Sequence, residues 1–164
     1  MTDKKVIYIK ANDKAVLELI DKVADKAKYP KKLMRKVAQI MAFHTDENFE
    51  TEGENAHEDW EEWSDPYKIW RKKHGRGDGK LLVLEHEMRE GISRKTTEDT
   101  AMIISDKDYA AIHNFGGDIK RGGETVGEMP KRTFMKWTDE LKQEILDEVG
   151  AELYINEKYD DTLM

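Results

Sequence analysis

Apolar residues recur at helical spacing through the first third of the chain, then lose all periodicity over residues 51–79. That break limits what the sequence can fold into. Asn12 and Asp13 offer a helix N-cap, and Val16, Leu17, Ile20, Val23, Ala24 and Ala27 then follow at three and four, the period of one helix face. Pro30 sits where a first-turn proline starts a second helix. Leu33, Val37, Ile40, Met41 and His44 continue the spacing, widened by Met34 and Ala38, to about Phe49. Two amphipathic helices in series must bury their stripes, against each other or against one face of a sheet.

Short β-rich runs supply that sheet. Val6 to Lys10 reads as a strand, and Ala101 to Ser105 as another with Arg94 to Asp99 as its hairpin partner. Leu81, Leu84, Met88 and Ile92 share a face of a further short helix over 81–92. Tyr109 to Phe115 predicts a compact helical turn ended by Gly116 and Gly117, which adopt positive φ at little cost. Gly122, Gly123 and Gly127 make 118–128 a mobile hairpin tip or loop, and Pro130 and Phe134 anchor its return. Thr138 caps a final helix carrying Leu141, Ile145, Leu146, Val149 and Leu153, and residues 154–164 read as a frayed tail. The expected class is α+β: a small, mostly antiparallel sheet packed with N-terminal helices and a C-terminal helix. One domain spans 1–164, with its core over about 6–153.

The aperiodic stretch 51–79 embeds Trp60, Trp63, Tyr67 and Trp70 in charge and closes on Gly75, Gly77 and Gly79. A structureless stretch of this length inside one domain marks a functional or disordered loop, yet disordered segments are poor in aromatics. The expectation is an extended, mobile arm that orders against a partner, or against the chain's own core through those rings. Its charge is segregated. Asp46, Glu47, Glu50, Glu52, Glu54, Glu58, Asp59, Glu61 and Glu62 fall in a stretch without Lys or Arg, and Lys68, Arg71, Lys72, Lys73, Arg76 and Lys80 follow. The two blocks read either as solvated faces or as complementary patches on neighbouring copies, where opposed potentials fix register. The formal net charge of −7 argues against broad nucleic-acid binding, which depends on phosphate neutralisation.

The chemistry available is narrow. The absence of cysteine excludes disulfides, zinc ribbons, iron–sulfur clusters and a thiol nucleophile. No apolar run approaches the ~18–20 residues of a membrane span, and the first residues lack the apolar block of a signal peptide, so a soluble protein that stays inside a cell is expected. No two of His44, His57, His74, His86 and His113 lie three or four apart, and His86-Glu87 meets Glu90 where a zincin helix needs its second histidine. His44, on the apolar face of the second helix, reads as a satisfied, partly buried side chain. Ser64, Ser93 and Ser105 form no nucleophile elbow, and Gly75-Arg76-Gly77-Asp78-Gly79 is a hinge rather than a phosphate loop. In the run 109–117, Tyr109 and Phe115 are expected to enter the core while His113 or Asn114 hydrogen-bonds the backbone of a tight loop. Nothing here requires an enzyme, a cofactor or a metal. The catalytic alternative is a small metal-dependent hydrolase or nuclease using His113 with nearby carboxylates, and a further one is a cytoplasmic adaptor binding one protein through the tryptophan arm.

The order of these features is more specific than any one of them. Tyr109-Ala110-Ala111-Ile112-His113-Asn114-Phe115-Gly116-Gly117 is followed by Met129-Pro130-Lys131-Arg132-Thr133-Phe134-Met135 and an amphipathic helix. Before them stand a helical pair, Trp60 in a polar stretch, Asp65-Pro66-Tyr67, Lys80-Leu81-Leu82, Met88-Arg89 and Ile92-Ser93. This arrangement resembles the phage virion morphogenesis family, the tail-completion proteins of Mu-like and related tailed phages, over roughly residues 13–153. The chain departs from the family at Glu85-His86-Glu87-Met88, where a Thr-Gly-x-Leu turn is usual, and at Lys131 and Thr133 in the Pro-x-Arg-x-Phe run. The resemblance implies a structural role in finishing the tail or joining it to the head, as a homo-oligomeric ring, with a hexamer as one form, contacting tail or neck proteins. It places the protein in the host bacterial cytoplasm during assembly and leaves both release and retention in the virion tail or neck open. It implies no membrane and no sequence-specific nucleic acid. Under it, Trp60, Trp63, Tyr67 and Trp70 are expected to anchor the arm on a neighbour, and Arg132 to bridge an acidic group across an interface or to stand exposed. Tyr109, Phe115, Pro130 and Phe134 are expected to fix the sheet and loop.

Overall fold

A computed structural model describes residues 7–10, 14, 16–18 and 30–161. Of the helix expected after Asn12, Lys14, Val16, Leu17 and Glu18 are helical, and its remaining residues lie outside the described ones. The chain is α+β, as its alternating helical and β-rich runs require. Its described residues gather into two compact units: one is built mainly from 45–92 and 105–136, the other from 8–44, 93–104 and 137–161.

The second of these units holds a three-stranded sheet in the order β1-β3-β2, with β1 at Ile7–Lys10, β2 at Ile92–Thr96 and β3 at Ala101–Ser105. The expected hairpin closes where Thr97 N–H donates to Thr100 O at 2.9 Å, and Asp99 accepts from the hydroxyls of Thr97 and Thr100. Ala101 and Ile103 are buried while Met102 and Ile104 are half-buried, the two-residue period of a strand. Helix α1, Pro30–Glu50, begins at the expected proline. Leu33, Met34, Val37, Ala38 and Met41 form its buried stripe. In the last helix, α5 at Asp139–Asp161, Leu141, Ile145 and Val149 are buried. Thr138 caps α5 as its sequence predicts, its hydroxyl accepting from Leu141 N–H at 3.1 Å. Lys36 reaches Glu148 at 2.5 Å and Glu152 at 3.1 Å, and His44 Nε2 lies 2.7 Å from Glu144. Ascending positions on α1 thus meet descending positions on α5, so the two helices run antiparallel. The tail expected to fray from residue 154 is helical to Asp161, because each residue added to an existing helix gains a hydrogen bond without a new nucleation cost.

The other unit contains a 3₁₀ turn at Glu54–Ala56, helix α2 at Asp65–Lys73, one turn α3 at Glu87–Glu90, α4 at Ala110–Phe115, and the hairpin of β4, Gly117–Arg121, with β5, Glu124–Met129. The stretch expected to be an extended arm thus contains a helix. Pro66 stands in its first turn beside Asp65, and Arg71, Lys72 and Lys73 occupy its last turn, complementing the helix dipole at both ends. Most of α2 is solvent-exposed, so no apolar stripe signals it. The helix expected over 81–92 is confined to 87–90, because Leu82 and His86 take φ of 60° and 61°, outside the right-handed region. In the hairpin, Gly122 and Gly123 take positive φ at the two-residue turn, and the register shifts between Ile119 and Lys120.

Candidate functional site

The two motifs 109–117 and 129–135 fold into one hydrogen-bonded knot. Arg132 N–H donates to His113 O at 2.8 Å, and the buried Asn114 Oδ1 accepts from Phe134 N–H at 3.1 Å and Met135 N–H at 2.9 Å. Of the two candidates for that bonding, Asn114 makes the side-chain bonds. Its amide oxygen offers two lone pairs to two adjacent backbone donors. Gly116 is required here: at φ +72° a Cβ would lie 3.1 Å from both Lys131 N and Met129 O. Phe134 is fully buried and sits 5.0 Å, ring to ring, from Phe49. Tyr109 and Phe115, by contrast, do not enter the core; Phe115 is 65% exposed, and Tyr109 points its hydroxyl at Glu87 Oε2, 3.2 Å away. In a six-residue helix only one face can be buried, and Ala110 and Asn114 take it at i and i+4.

Trp60 takes one of the two places open to the rings of this segment, the core of its own chain. It is 6% exposed, meets Phe49 edge-on at 6.1 Å, and donates its indole N–H to Thr133 O at 3.3 Å. Gly53, at φ +98°, makes room for it, since a Cβ there would stand 2.4 Å from Trp60 Cδ1. Trp60 is therefore a core residue of its own chain. Arg132 is also turned inward rather than toward a partner's carboxylate. It is 5% exposed and donates from Nε to Glu61 O at 2.8 Å and from a terminal nitrogen to Glu62 O at 3.1 Å. Backbone carbonyls with no helix or strand partner satisfy a buried guanidinium without the desolvation of a second charge.

Part of the acidic and basic blocks is spent inside the chain. Arg89 grips the Asp46 carboxylate with two nitrogens and reaches Glu50 with a third, and Lys80 joins the same Glu50. Arg76 pairs with Glu85, and Lys68 lies 3.4 Å from Glu62. Glu58 is ringed by Lys131 at 3.0 Å and Lys136 at 3.1 Å. Burial pushes its carboxyl up, but hydrogen bonds from Thr133, Lys131 and Lys136 outweigh that and hold it at about 2.

The other rings of the segment stay at the surface. On α2, Tyr67 and Trp70 stack at 5.6 Å, Trp70 and His74 follow at 4.4 Å, and the Arg71 guanidinium lies 4.0 Å over the Trp63 ring. Residues three and four apart share a helix face, so the ladder follows from the spacing 67, 70, 74, and Trp63 joins it from the segment before the N-cap. Trp70 is 40% exposed and Ile69 more so. Beside this ladder lies a cavity of about 570 Å³, walled by Trp63, Tyr67, Leu82, Met88, His113 and Pro130. His113 Nδ1 is buried there without a hydrogen-bond partner, and burial followed by the nearby Arg132 charge keeps the imidazole below its ordinary pKa. Sequence reasoning missed this cavity because Leu82 and Met88 were assigned to one helix. It also missed Arg71, whose spacing of eight from Trp63 and four from Tyr67 was available.

No group of three or more His, Asp and Glu among the described residues could hold a metal ion, and no helix among them is long and apolar enough to cross a membrane. The chain matches the model of the phage virion morphogenesis family over residues 11–154. It is 33% identical over 116 residues to "Putative capsid assembly protein G" of Escherichia phage Mu, covering 70% of this chain and 74% of that protein. It is 26% identical over 138 residues to "Mu-like prophage FluMu G protein 2" of Haemophilus influenzae, covering 84% and 88% respectively. No solved structure matches. The family match spans the α2 ladder, the cavity and both motifs of the knot, and the chain belongs to the phage virion morphogenesis family.

Proposed function

We propose that this protein completes the phage tail or joins it to the head, as a subunit of an oligomeric ring on the tail tube that contacts tail or neck proteins. Membership of a structural virion assembly family across residues 11–154 carries the reading. The geometry supports it with two unlike exposed features in one unit: the aromatic face of α2 and the β4–β5 hairpin, in which every residue from Gly117 to Glu128 is exposed. Ring subunits need heterologous contacts, in which the two patches differ. Exposed aromatic rings are common anchors of such contacts. The protein would act in the host cytoplasm during assembly, and the closed form to look for is a hexamer.

A second reading places it on the capsid side, as the name of the phage Mu relative suggests. Electron microscopy of lysates from phage lacking this gene separates the two. Full heads beside unfinished or unjoined tails, rescued by adding the purified chain, are expected. Finished, joinable tails beside defective heads would overturn the tail reading in favour of the capsid one.

A further inference from the structure

The β4–β5 hairpin is a two-stranded sheet by itself, and every residue from Gly117 to Glu128 is exposed. Two strands alone are marginal in water, and a stable sheet needs three or more. Among the described residues no strand pairs with the outer edge of β4, which leaves an open row of backbone donors and acceptors. The two edges of the hairpin differ. β5 carries the register irregularity at Val126, and its only charges, Glu124 and Glu128, have one sign. β4 has no extra residue and carries Asp118 and Lys120 two apart, hence on one face. The turn at Gly122-Gly123 makes Arg121 and Glu124 the closing pair. The backbone groups of a closing pair face each other, so alternation along the strand turns those of Asp118 and Lys120 outward.

We propose that the β4 edge of a second copy of this chain pairs antiparallel with this one, centred on Ile119, giving a four-stranded sheet across a two-fold axis. Charge selects both the partner and the register. Outward-facing residues must meet each other, which leaves registers centred on 118, 119 or 120. The first sets Asp118 against its own copy and the last sets Lys120 against its own copy, and like charges directly opposite are destabilising. Centred on Ile119, Asp118 of each copy faces Lys120 of the other, and the two half-exposed Ile119 side chains meet at the axis. The same register lays the Gly122-Gly123 turn of one copy beside Phe115 and Gly116 of the other. Phe115 is 65% exposed, and a Cβ at either turn glycine would meet nothing within 4 Å, so that end of the contact is open to the ring. No register of β5 on β5 makes an opposite-charge pair, and the irregular edge at Val126 resists further pairing, so growth stops at two copies. The contact is isologous. It goes beyond the ring reading, does not rest on it, and leaves the α2 face outside.

The test follows the full chain by sedimentation and native mass spectrometry across a concentration series, where a dimer is expected. Asp118→Lys alone and Lys120→Asp alone each put like charges at both cross-strand positions and should weaken the dimer at least about tenfold. The double variant exchanges the two charges and should restore it. Both side chains are exposed, so the melting temperatures should match that of the parent. The chain has no cysteine, so Ile119→Cys introduces its single thiol. At the axis, residue 119 meets its own copy as a non-hydrogen-bonded pair, with Cα atoms about 4.5 Å apart, within disulfide reach. Mild oxidation should therefore link Ile119→Cys into a covalent dimer and leave Val126→Cys unlinked. A parent chain that stays monomeric, single variants that associate as the parent does, a double variant that fails to recover, or Val126→Cys linking as readily as Ile119→Cys would overturn the contact. Larger rings without a link through Ile119→Cys would overturn it too, while leaving the ring reading standing.

Discussion

The tryptophans of one charged stretch have opposite fates, decided by neighbours far away in sequence. Trp60 lands beside Phe49 and below Thr133, and a glycine at 53 clears the space for its ring. Trp70 stacks on Tyr67 of its own helix and keeps much of its ring in water. Trp60→Ala should therefore cost about 3–5 kcal/mol, the range for deleting a buried aromatic. Trp70→Ala should stay within about 0.5 kcal/mol, as surface substitutions do. Denaturant unfolding of the two variants checks the contrast, and equal losses would contradict this placement of the rings. If α2 is a docking face, Trp70→Ala should also impair assembly at unchanged stability. Sequence alone could not sort these residues, since all are aromatic and charge-flanked, and helical spacing among 67, 70 and 74 does not say what packs against that face.

Elements were legible where their amphipathic pattern was complete. The stripe of α1, the Thr138 cap of α5 and the turn before Gly116 follow from spacing and cap chemistry. Helix α2 was missed because it is polar on nearly all sides, and the 81–92 helix was overextended because apolar spacing says nothing of the positive φ at Leu82 and His86. What joins α4 to the 132–135 segment is one side chain, Asn114, with two backbone donors on its oxygen. Asn114→Ala leaves both buried N–H groups without a partner, which should cost about 2–5 kcal/mol. Hydrogen exchange should show Phe134 and Met135 amides losing protection more than those of α5. Uniform loss across the chain would mean that Asn114 is an ordinary packing residue.

At the scale of the whole molecule, an excess of carboxylates is tolerated because many of them are paired within the chain. That makes acid the condition to which the protein should be sensitive. Glu58 is held at about 2 in the folded chain against an ordinary 4.5. A carboxyl whose folded pKa lies below its unfolded one contributes stability above pH 4.5, and this contribution disappears as pH falls toward about 2. Glu58→Gln should lower stability near neutrality by roughly 1–3 kcal/mol, and the gap to the parent should close across that acidic window. A gap independent of pH would show that its lysine partners contribute through packing instead.

The sequence by itself determined the α+β class, the start of α1, the cap of α5 and the family, because each depends on local spacing or on short runs of residues. Only the tertiary structure decided that Trp60 and Arg132 face inward, that Tyr109 and Phe115 face outward, and that several charges of the acidic and basic blocks are paired within one chain. Those outcomes turn on which distant residues share a volume: Phe49 with Trp60 and Phe134, Arg132 with the carbonyls of 61 and 62, Arg89 with Asp46. A side chain's type fixes what it can bond. Its burial is set by the contacts that close around it, and these are long-range.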